Sequence, residues 1–282
     1  MSSTPSSQPD SVFILSVSSD IGEQLALDYL RRGRRVAGTY RQSLPPSLAG
    51  QSNFAGLRCD VTARECRDQI AGFFQTQDFR WNIFISCVGQ LAPVGNFFEN
   101  DFEPWAQSVE TNCVAQLRAL HAAHPYRQTD RISHVVFFAG GGTNNPFRSY
   151  SAYCLGKIAL IKMCELLDDE NPDLNVFIVG TGWVRTKIHE QTLAAGQRAG
   201  ASYDLTRRFI DKNEPGTGYA EIAAMIRWGI EQGRTVAGGR NFSVVHDHWN
   251  NPGSELSAAL SADPDKFKLR RHGNNGSKPH RP

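Results

Sequence analysis

Tyr153 and Lys157 are the residues whose types and spacing point most directly to chemistry. They form a YxxxK sequence, and a separation of four residues puts the phenol and the ammonium on one face of a helix. An isolated tyrosine has a pKa of about 10, but a neighbouring cation stabilises its phenolate and lowers that pKa. Such a pair can donate or accept a proton near neutral pH. The same spacing arises by chance in most helical proteins. Whether this pair is functional therefore depends on the secondary-structure elements around it.

The elements that would position this pair alternate between strand and helix patterns almost to the end of the chain. Tyr153 opens the helical pattern YSAYCLGKIALIKMCELLDDENP, directly after HVVFFAGGG, a buried strand with a glycine stop. The other apolar runs that predict strands are SVFILSV, RVAGTY, FAGLRCDV, NIFISCVG, LNVFIVG and GGRNFSVVHD. The alternation predicts an α/β fold in which a parallel sheet of about seven strands carries helices on both faces. Residues 11–249 form this one domain, residues 1–10 are a flexible N-terminus, and residues 250–282 are a polar tail expected to be largely disordered.

Composition excludes several classes of function. The chain has 282 residues, 40% of them hydrophobic, and 30 Lys and Arg against 28 Asp and Glu. Because the charges are balanced and the body of the chain has no basic block, the sequence does not predict binding to nucleic acid or to an anionic membrane surface. The six cysteines form no CxxC and the eight histidines no HExxH, so no metal site is expected. With no apolar signal segment, we expect a cytoplasmic protein.

Motifs in a fixed order give the pair its context. These are SVSSDIG after the first strand, CDVT after the third, SCVG after the fourth, Asn112 in the following helix, YCLGK, and TGWVRT after the sixth strand. With these motifs the chain resembles the short-chain dehydrogenase/reductase family in its compact, single-domain form, over residues 11–247. The resemblance implies a Rossmann-type, doubly wound, three-layered fold. It also implies an NAD(P)-dependent oxidoreductase that interconverts a carbonyl and an alcohol by hydride transfer.

The resemblance assigns roles to the residues of these motifs. Tyr153 would be the acid or base, Lys157 would lower the tyrosine pKa and hold the nicotinamide ribose, and Asn112 would bend its helix and hold a water in a proton relay. Arg41, after Tyr40 at the end of strand two, favours NADP over NAD because a guanidinium pairs with the extra phosphate, although a solvated arginine is the alternative. The cofactor-binding residues expected on this basis are Ser16, Ser18, Ser19, Asp20, Ile21, Gly22, Tyr40, Arg41, Asp60, Val61, Ser86, Val88, Gly89, Tyr153, Lys157, Gly182, Val184 and Thr186.

The chain departs from the family pattern at positions that matter for chemistry. Ser16 and Asp20 replace two of the three glycines in the first turn, so a capped turn that binds nothing is the alternative there. Gly140 stands where the family places a catalytic serine, whose loss costs about 10²–10³ in rate. We expect Thr143, in the same glycine-rich loop, to replace it.

The substrate side would be formed by GGGTNNPFRS, QLAPVGNFF and the segment after Thr186, which in the family often forms a lid. Four basic residues in or next to these segments would favour an anionic substrate such as a nucleotide sugar, unless they form a solvated face. They are Arg148, Arg185, Lys187 and His189.

Two other functions stay open at this point. One is a non-catalytic relative that binds a dinucleotide or serves as a scaffold, and the other is a sugar-nucleotide epimerase or dehydratase. The helical patterns at 109–121 and 153–167 carry apolar residues on more than one face, and in the family these helices pair across a two-fold axis. We therefore expect a homodimer or homotetramer.

Overall fold

The strands form a single sheet in a computed structural model that describes residues 10–251 and 253–271. The order is β3-β2-β1-β4-β5-β6-β7, and all neighbouring pairs are parallel. In chain order the strands are β1 (Ser11–Leu15), β2 (Arg35–Tyr40), β3 (Phe54–Arg58), β4 (Ile83–Ser86), β5 (Ser133–Phe138), β6 (Leu174–Gly180) and β7 (Asn241–Ser243). The predicted Rossmann-type α/β fold is confirmed.

The helices follow the predicted alternation. They are α1 (Asp20–Arg31), α2 (Cys66–Thr76), α3 (Phe102–Val109), α4 (Ala115–Ala123), α5 (Ser151–Glu170), α6 (His189–Ala195), α7 (Ala201–Asp211), α8 (Tyr219–Ala237) and α9 (Leu256–Ala262). Helix α5 carries the YxxxK sequence in its first two turns. Within the described part of the chain, no helix combines the length and the apolar character that crossing a membrane requires.

The two faces of the sheet bury separate hydrophobic clusters, because successive strand residues point to opposite faces. Phe13 and Leu15 of β1 pack with residues of α2, α4 and α5. Val12 and Ile14 of the same strand pack on the other side with α1 and α8. Three layers result, with the sheet in the middle.

The strand order reverses between β1 and β4, which are hydrogen-bonded neighbours although two strands separate them in the sequence. In open α/β sheets a crevice forms at this point, outside the carboxyl ends of the strands. The turn after β1 and the segments after β4, β5 and β6 all start at this edge. The topology therefore brings together the motifs that are far apart along the chain.

The helical pattern predicted at residues 109–121 is interrupted near its start. A π-helical segment, Glu110–Val114, lies between α3 and α4, and Asn112 is its central residue. Single π turns of this kind bend a helix and are frequent at functional sites. The expected bend at Asn112 thus takes the form of a π segment.

The beginning of the C-terminal tail is folded, which corrects the expectation of disorder for residues 253–271. Helix α9 buries Leu260 completely. Arg240, itself 2% exposed, donates hydrogen bonds to the carbonyl oxygens of Leu260, Asp263 and Lys266. These bonds fix the tail to the start of β7. Residues 272–282, and residues 1–9 of the expected flexible N-terminus, lie outside the described residues.

Candidate active site

A cleft of about 1190 Å³ opens at the carboxyl ends of the strands. Most residues expected to bind a cofactor line it: Ser16, Ser18, Ser19, Asp20, Ile21, Tyr40, Arg41, Val61, Val88, Gly89, Tyr153, Lys157, Gly182, Val184 and Thr186. Gly22, Asp60, Ser86, Asn112 and Thr143 do not line it.

The turn after β1 keeps the shape of a glycine-rich turn although serine replaces glycine. Ser16 has a φ of 64°, the left-handed conformation that glycine usually supplies. Its N–H donates to Thr39 Oγ1 at 3.0 Å, and its carbonyl accepts from Ser19 Oγ at 2.8 Å. These bonds offset a strain of about 1–2 kcal/mol for a residue with a Cβ.

Gly22 supports the turn from behind. A Cβ at this position would lie 2.2 Å from the carbonyl oxygen of Ser16, so only glycine fits. The Gly22 N–H donates to Ser19 Oγ at 3.1 Å, which makes Ser19 the N-cap of α1. The capping expected as an alternative for Ser19 is therefore present, and the same turn also lines the cleft.

Asp20 and Lys187 join the two walls of the cleft. The Lys187 N–H donates to Asp20 Oδ2 at 2.9 Å. The Lys187 ammonium donates to the carbonyl oxygen of Ser18 at 2.6 Å. The loop after β6 is thereby tied to the turn after β1, and the Asp20 carboxylate has a hydrogen-bond donor.

Arg41 and Asp60 differ in their surroundings. Arg41 is exposed at the rim of the cleft and has no hydrogen bond or ion pair with any other residue in the described ranges. Asp60 instead accepts hydrogen bonds from the N–H of Thr62 at 2.9 Å and from Thr62 Oγ1 at 2.7 Å. Asp60 thus closes its own turn rather than facing the cleft, where Val61 lies.

Lys157 is buried beside the tyrosine. It is 3% exposed, and its Nζ donates to the carbonyl oxygen of Val88 at 3.0 Å. The same Nζ lies 5.9 Å from the centre of the Tyr153 ring. An ammonium has three N–H donors. Among the described residues only Val88 accepts one from Lys157, so two donors remain for a group bound in the cleft.

Burial controls the protonation of both side chains. It lowers the pKa of Lys157 to about 8, with a small opposing effect from the Cys87 and Cys113 thiols. Burial raises the pKa of Tyr153 above its ordinary value. The expected lowering of the Tyr153 pKa by Lys157 is therefore not what this structure shows, because desolvation of the phenolate raises the pKa and the Cys154 thiol adds to that rise. At neutral pH the phenol is protonated and the ammonium is charged.

Gly140 lies directly against the tyrosine. A Cβ built on Gly140 would be 2.4 Å from Tyr153 Oη and 2.5 Å from Cε1 and Cζ of the ring. The phenol thus occupies the space that the side chain of a residue at position 140 would need. The replacement of serine by glycine is what allows this position of the ring.

The structure does not bring Thr143 to the tyrosine. Its hydroxyl lies 3.5 Å from the carbonyl oxygen of Gly140, within its own loop. The loop turns at Gly142, with a φ of 99°, and the next residues to line the cleft are Phe147 and Tyr150. Thr143 therefore does not line the cleft in which Tyr153 lies.

Asn112 and Ser86 belong to a buried network behind the cleft. The Asn112 amide oxygen accepts from the N–H of Gln90 at 3.0 Å, and its Nδ2 donates to the Gln90 carbonyl at 2.7 Å. Gln116 Nε2 donates to the main-chain carbonyl of Asn112 at 2.8 Å, and Gln116 Oε1 accepts from Ser86 Oγ at 2.7 Å. The side chain of Asn112 thus holds the segment after β4 through Gln90. The main-chain carbonyl of Asn112 is occupied by the hydrogen bond from Gln116.

Helix α5 packs tightly on this network. A Cβ at Gly156 would lie 2.6 Å from Asn112 Cβ, so the residue before Lys157 must be small. This close approach sets the depth at which Lys157 enters the cleft.

A profile of the short-chain dehydrogenase family matches residues 10–196. The chain belongs to the short-chain dehydrogenase/reductase family. Its members are NAD(P)-dependent oxidoreductases, and the expectation drawn from the motifs is confirmed at this level.

The individual relatives of this chain are distant. An 11-beta-hydroxysteroid dehydrogenase A from Sesamum indicum is 26% identical over 215 residues, which cover 72% of this chain and 58% of the relative. A short-chain dehydrogenase/reductase from Saccharomyces cerevisiae has a TM-score of 0.72 at 21% identity, covering 92% of this chain and 100% of that one. A short-chain dehydrogenase from Shigella flexneri, complexed with NADP, has a TM-score of 0.69 at 19% identity and covers 83% and 96%. The structural likeness shows the fold alone.

The cleft of this chain includes residues that sequence reasoning did not single out. Gln191 Oε1 accepts from the N–H groups of Leu91 and Ala92, at 2.8 and 2.9 Å, and so ties α6 to the segment after β4. The hydroxyls of Tyr150 and Thr192 are 2.9 Å apart. The substrate-side segments were identified correctly as segments that line the cleft, but no spacing rule could find contacts between residues about one hundred positions apart.

Proposed function

We propose that this protein is an NADP-dependent oxidoreductase that interconverts a carbonyl compound and an alcohol, with Tyr153 as the acid or base. The observation that carries the proposal is the burial of Lys157 next to Tyr153 in the cleft at the carboxyl ends of the strands. A lysine that is buried at the cost of a lowered pKa, with donors left over, is typical of a functional site.

The cleft fits a dinucleotide. The left-handed Ser16 and the Cβ-free Gly22 give the turn after β1 the shape of a pyrophosphate-binding turn, with the start of α1 behind it. Ser18, Ser19 and Ile21 would hold the phosphates, Val61 would border the adenine, and Val88, Gly89, Gly182, Val184 and Thr186 would line the remainder. When bound, the reduced nicotinamide supplies a hydride, two electrons with one proton, to the carbonyl carbon.

Tyr153 Oη supplies the matching proton. In reduction the O–H bond of the phenol breaks and a new O–H bond forms on the substrate oxygen, which balances the hydride added at carbon. The charged Lys157 then stabilises the phenolate that is left. In oxidation the phenolate takes the proton from the alcohol.

Arg41 supports NADP rather than NAD. Its guanidinium is exposed at the end of β2, at the rim of the cleft, without a partner among the described residues. A guanidinium forms paired, charge-assisted hydrogen bonds with a phosphate. We expect Arg41→Gln to weaken NADPH binding and to leave NADH binding unchanged.

The decisive experiment measures cofactor binding and proton transfer separately. NADPH is titrated by fluorescence, and small ketones and sugar nucleotides are then screened by NADPH absorbance. We expect Tyr153→Phe to bind NADPH like the wild type and to lose at least about 100-fold in kcat/KM on every accepted substrate. Tyr126→Phe, whose hydroxyl accepts a hydrogen bond from Gln75 outside the cleft, is the matched control.

The same experiment tests the non-catalytic alternative. No binding at millimolar NADPH would leave only the fold of a dehydrogenase. Binding together with unchanged turnover in Tyr153→Phe would remove Tyr153 from the mechanism.

We also propose that the protein forms a homodimer or homotetramer through α3 and α5. The two helices pack side by side, and Trp105 Nε1 of α3 donates to Ser151 Oγ of α5 at 2.9 Å. Their outer surface exposes Phe102, Leu155 and Leu166 by 61%, 49% and 42%. Exposed apolar side chains on two helices that pack together are typical of an interface.

A further inference from the structure

We infer that the substrate is an uncharged carbonyl or alcohol compound with an apolar body. The inference rests on the proposed function, because it concerns the part of the cleft next to Tyr153. It replaces the expectation of an anionic nucleotide sugar.

The wall beside Tyr153 is apolar. Leu91, Phe147, Tyr150 and Ile188 line the cleft and pack in one cluster that also contains the Tyr153 ring. Phe147 stacks on Tyr150 with ring centres 4.2 Å apart and planes 7° apart. A substrate whose carbonyl meets Tyr153 Oη therefore places its body against rings and aliphatic side chains.

The polar groups that Tyr150, Thr192 and Gln191 contribute to this wall are uncharged. Tyr150 Oη and Thr192 Oγ1 share a hydrogen bond at 2.9 Å. Gln191 Oε1 is occupied by two main-chain N–H groups, as described above. An anion placed here would lose its hydration and meet only uncharged donors, which is unfavourable because a buried charge needs an opposite charge beside it.

The four basic residues that the sequence analysis considered for binding an anionic substrate do not point to this wall. Arg185 donates to the carbonyl oxygen of Phe209 at 3.0 Å, and its guanidinium lies 5.2 Å from the centre of that ring. His189 stacks on Trp183, and its Nε2 is 2.8 Å from the carbonyl oxygen of Val184.

Lys187 and Arg148 are also directed elsewhere. The ammonium of Lys187 is bound to Ser18 on the cofactor side, and Arg148 is exposed and does not line the cleft. Helix α6 also contributes the exposed Glu190 to the cleft, and its carboxylate repels anions. Lys157 is buried and bound to Val88, and in the proposed function its other donors hold the nicotinamide ribose.

The test uses two ketones of nearly equal shape. Both 4-acetylbenzamide and 4-acetylbenzoate carry a planar polar group opposite the ketone, but only the second is charged. A ketone cannot react with NADP⁺, so calorimetric titration of the NADP⁺-loaded protein measures binding without turnover. We expect the amide to bind at least about 10-fold more tightly than the carboxylate, and 4-methylacetophenone to bind at least as tightly as the amide.

Two neighbouring variants separate the apolar wall from the cations. Phe147→Ala is expected to weaken binding of 4-methylacetophenone about 10-fold. Arg148→Ala, one residue further on, is expected to leave the binding of all three ketones unchanged. NADP⁺ affinity and circular dichroism report whether either variant disturbs the fold.

Several outcomes overturn the inference. These are equal or tighter binding of 4-acetylbenzoate, no binding of either neutral ketone, and a loss of carboxylate binding in Arg148→Ala. Failure of NADP⁺ to bind would instead contradict the proposed function. The three ketones are then titrated into the unloaded protein, where the same order of affinity is expected because the wall exists without cofactor.

Discussion

Lys157 is a charged side chain that the fold buries at a cost. Burial lowers its pKa from the ordinary value to about 8, so the native protein releases this proton at a lower pH than the unfolded chain does. Below this pH the buried ammonium opposes folding. Between about pH 8 and the ordinary lysine pKa of 10.5 this cost falls as the pH rises, and the free energy of unfolding increases relative to a protein without this group.

We predict that Lys157→Met raises the free energy of unfolding near neutral pH by about 2 kcal/mol, because the methionine stem fills the same space without a charge. The gain should shrink at about pH 9.5, where the wild-type lysine is neutral in the native state. Urea unfolding at both pH values measures it. Lys162→Met, on the same helix but paired with Glu165 at the surface, should give no such gain. An equal gain at both pH values would contradict the prediction.

Gly140 determines where the phenol can lie. We predict that Gly140→Ala displaces the Tyr153 ring, because the added Cβ would lie 2.4 Å from Oη. A displacement of this size should lower kcat/KM by about 10- to 100-fold. Thermal unfolding should change little, since the far end of a side chain can swing away. Gly72→Ala, on α2 with no atom near the new Cβ, is the control for adding a methyl group. An unchanged kcat/KM in Gly140→Ala would show that turnover does not depend on the position of the Tyr153 ring that Gly140 allows.

At the scale of the elements, three short segments meet over the cleft. The loop after β6 is tied to the turn after β1 by Lys187, and α6 is tied to the segment after β4 by Gln191. The segment from Lys187 to Thr192 therefore closes one side of the cleft in this structure. Its position depends on single side chains rather than on strand pairing.

We predict that Asp20→Asn tightens NADPH binding about 3- to 10-fold, because the carboxylate in the cleft repels an anionic cofactor. The asparagine keeps an oxygen that can accept from the Lys187 N–H, so the tie to the loop after β6 is preserved. The gain should decrease at high salt. Fluorescence titration at two salt concentrations measures it.

The variant Asp20→Ala separates two effects of this side chain, its negative charge and its hydrogen bond to the Lys187 N–H. It removes both, whereas Asp20→Asn removes only the charge. Equal tightening in the two variants assigns the effect to the charge alone. Weaker binding in Asp20→Asn than in the wild type would show that the carboxylate helps to hold the cofactor through the loop after β6.

For the whole molecule, the exposed surface of α3 and α5 predicts self-association. Leu155 and Leu166 are eleven residues apart, about three helical turns, and thus lie on the same side of α5. We predict a dimer or tetramer by light scattering, and a shift to monomer for the double variant Leu155→Glu with Leu166→Glu. Leu205→Glu, on α7 and 43% exposed, is the control. A monomeric wild type at working concentration would contradict the prediction.

The sheet could be predicted from the sequence because each strand is a short apolar run that ends in turn-forming residues. Strand β1 lies in the run SVFILSV and β4 lies in the run NIFISCVG. The cleft is at the carboxyl ends of these two strands. Tyr153 and Lys157 were found by helical spacing, which is a local property. Local patterns are reliable where one element supplies both residues.

The remainder depends on contacts between distant parts of the chain. The π segment at Asn112 follows from its hydrogen bonds to Gln90, which no helical pattern contains. Thr143 was chosen because its loop is rich in glycine, but the direction of that loop is set by packing. Helix α9 was missed because seven residues with one buried leucine give a weak pattern, and Arg240 holds the segment after it.

The chain of hydrogen bonds from Ser86 through Gln116 to Asn112 restricts how these positions can change during evolution. Ser86 and Gln116 are both fully buried. Replacing only one of them would leave the hydroxyl of Ser86 or the amide oxygen of Gln116 buried without its hydrogen-bond partner. Positions 86 and 116 should therefore covary among homologous sequences: where a longer amide side chain stands at 86, glutamine at 116 should be absent.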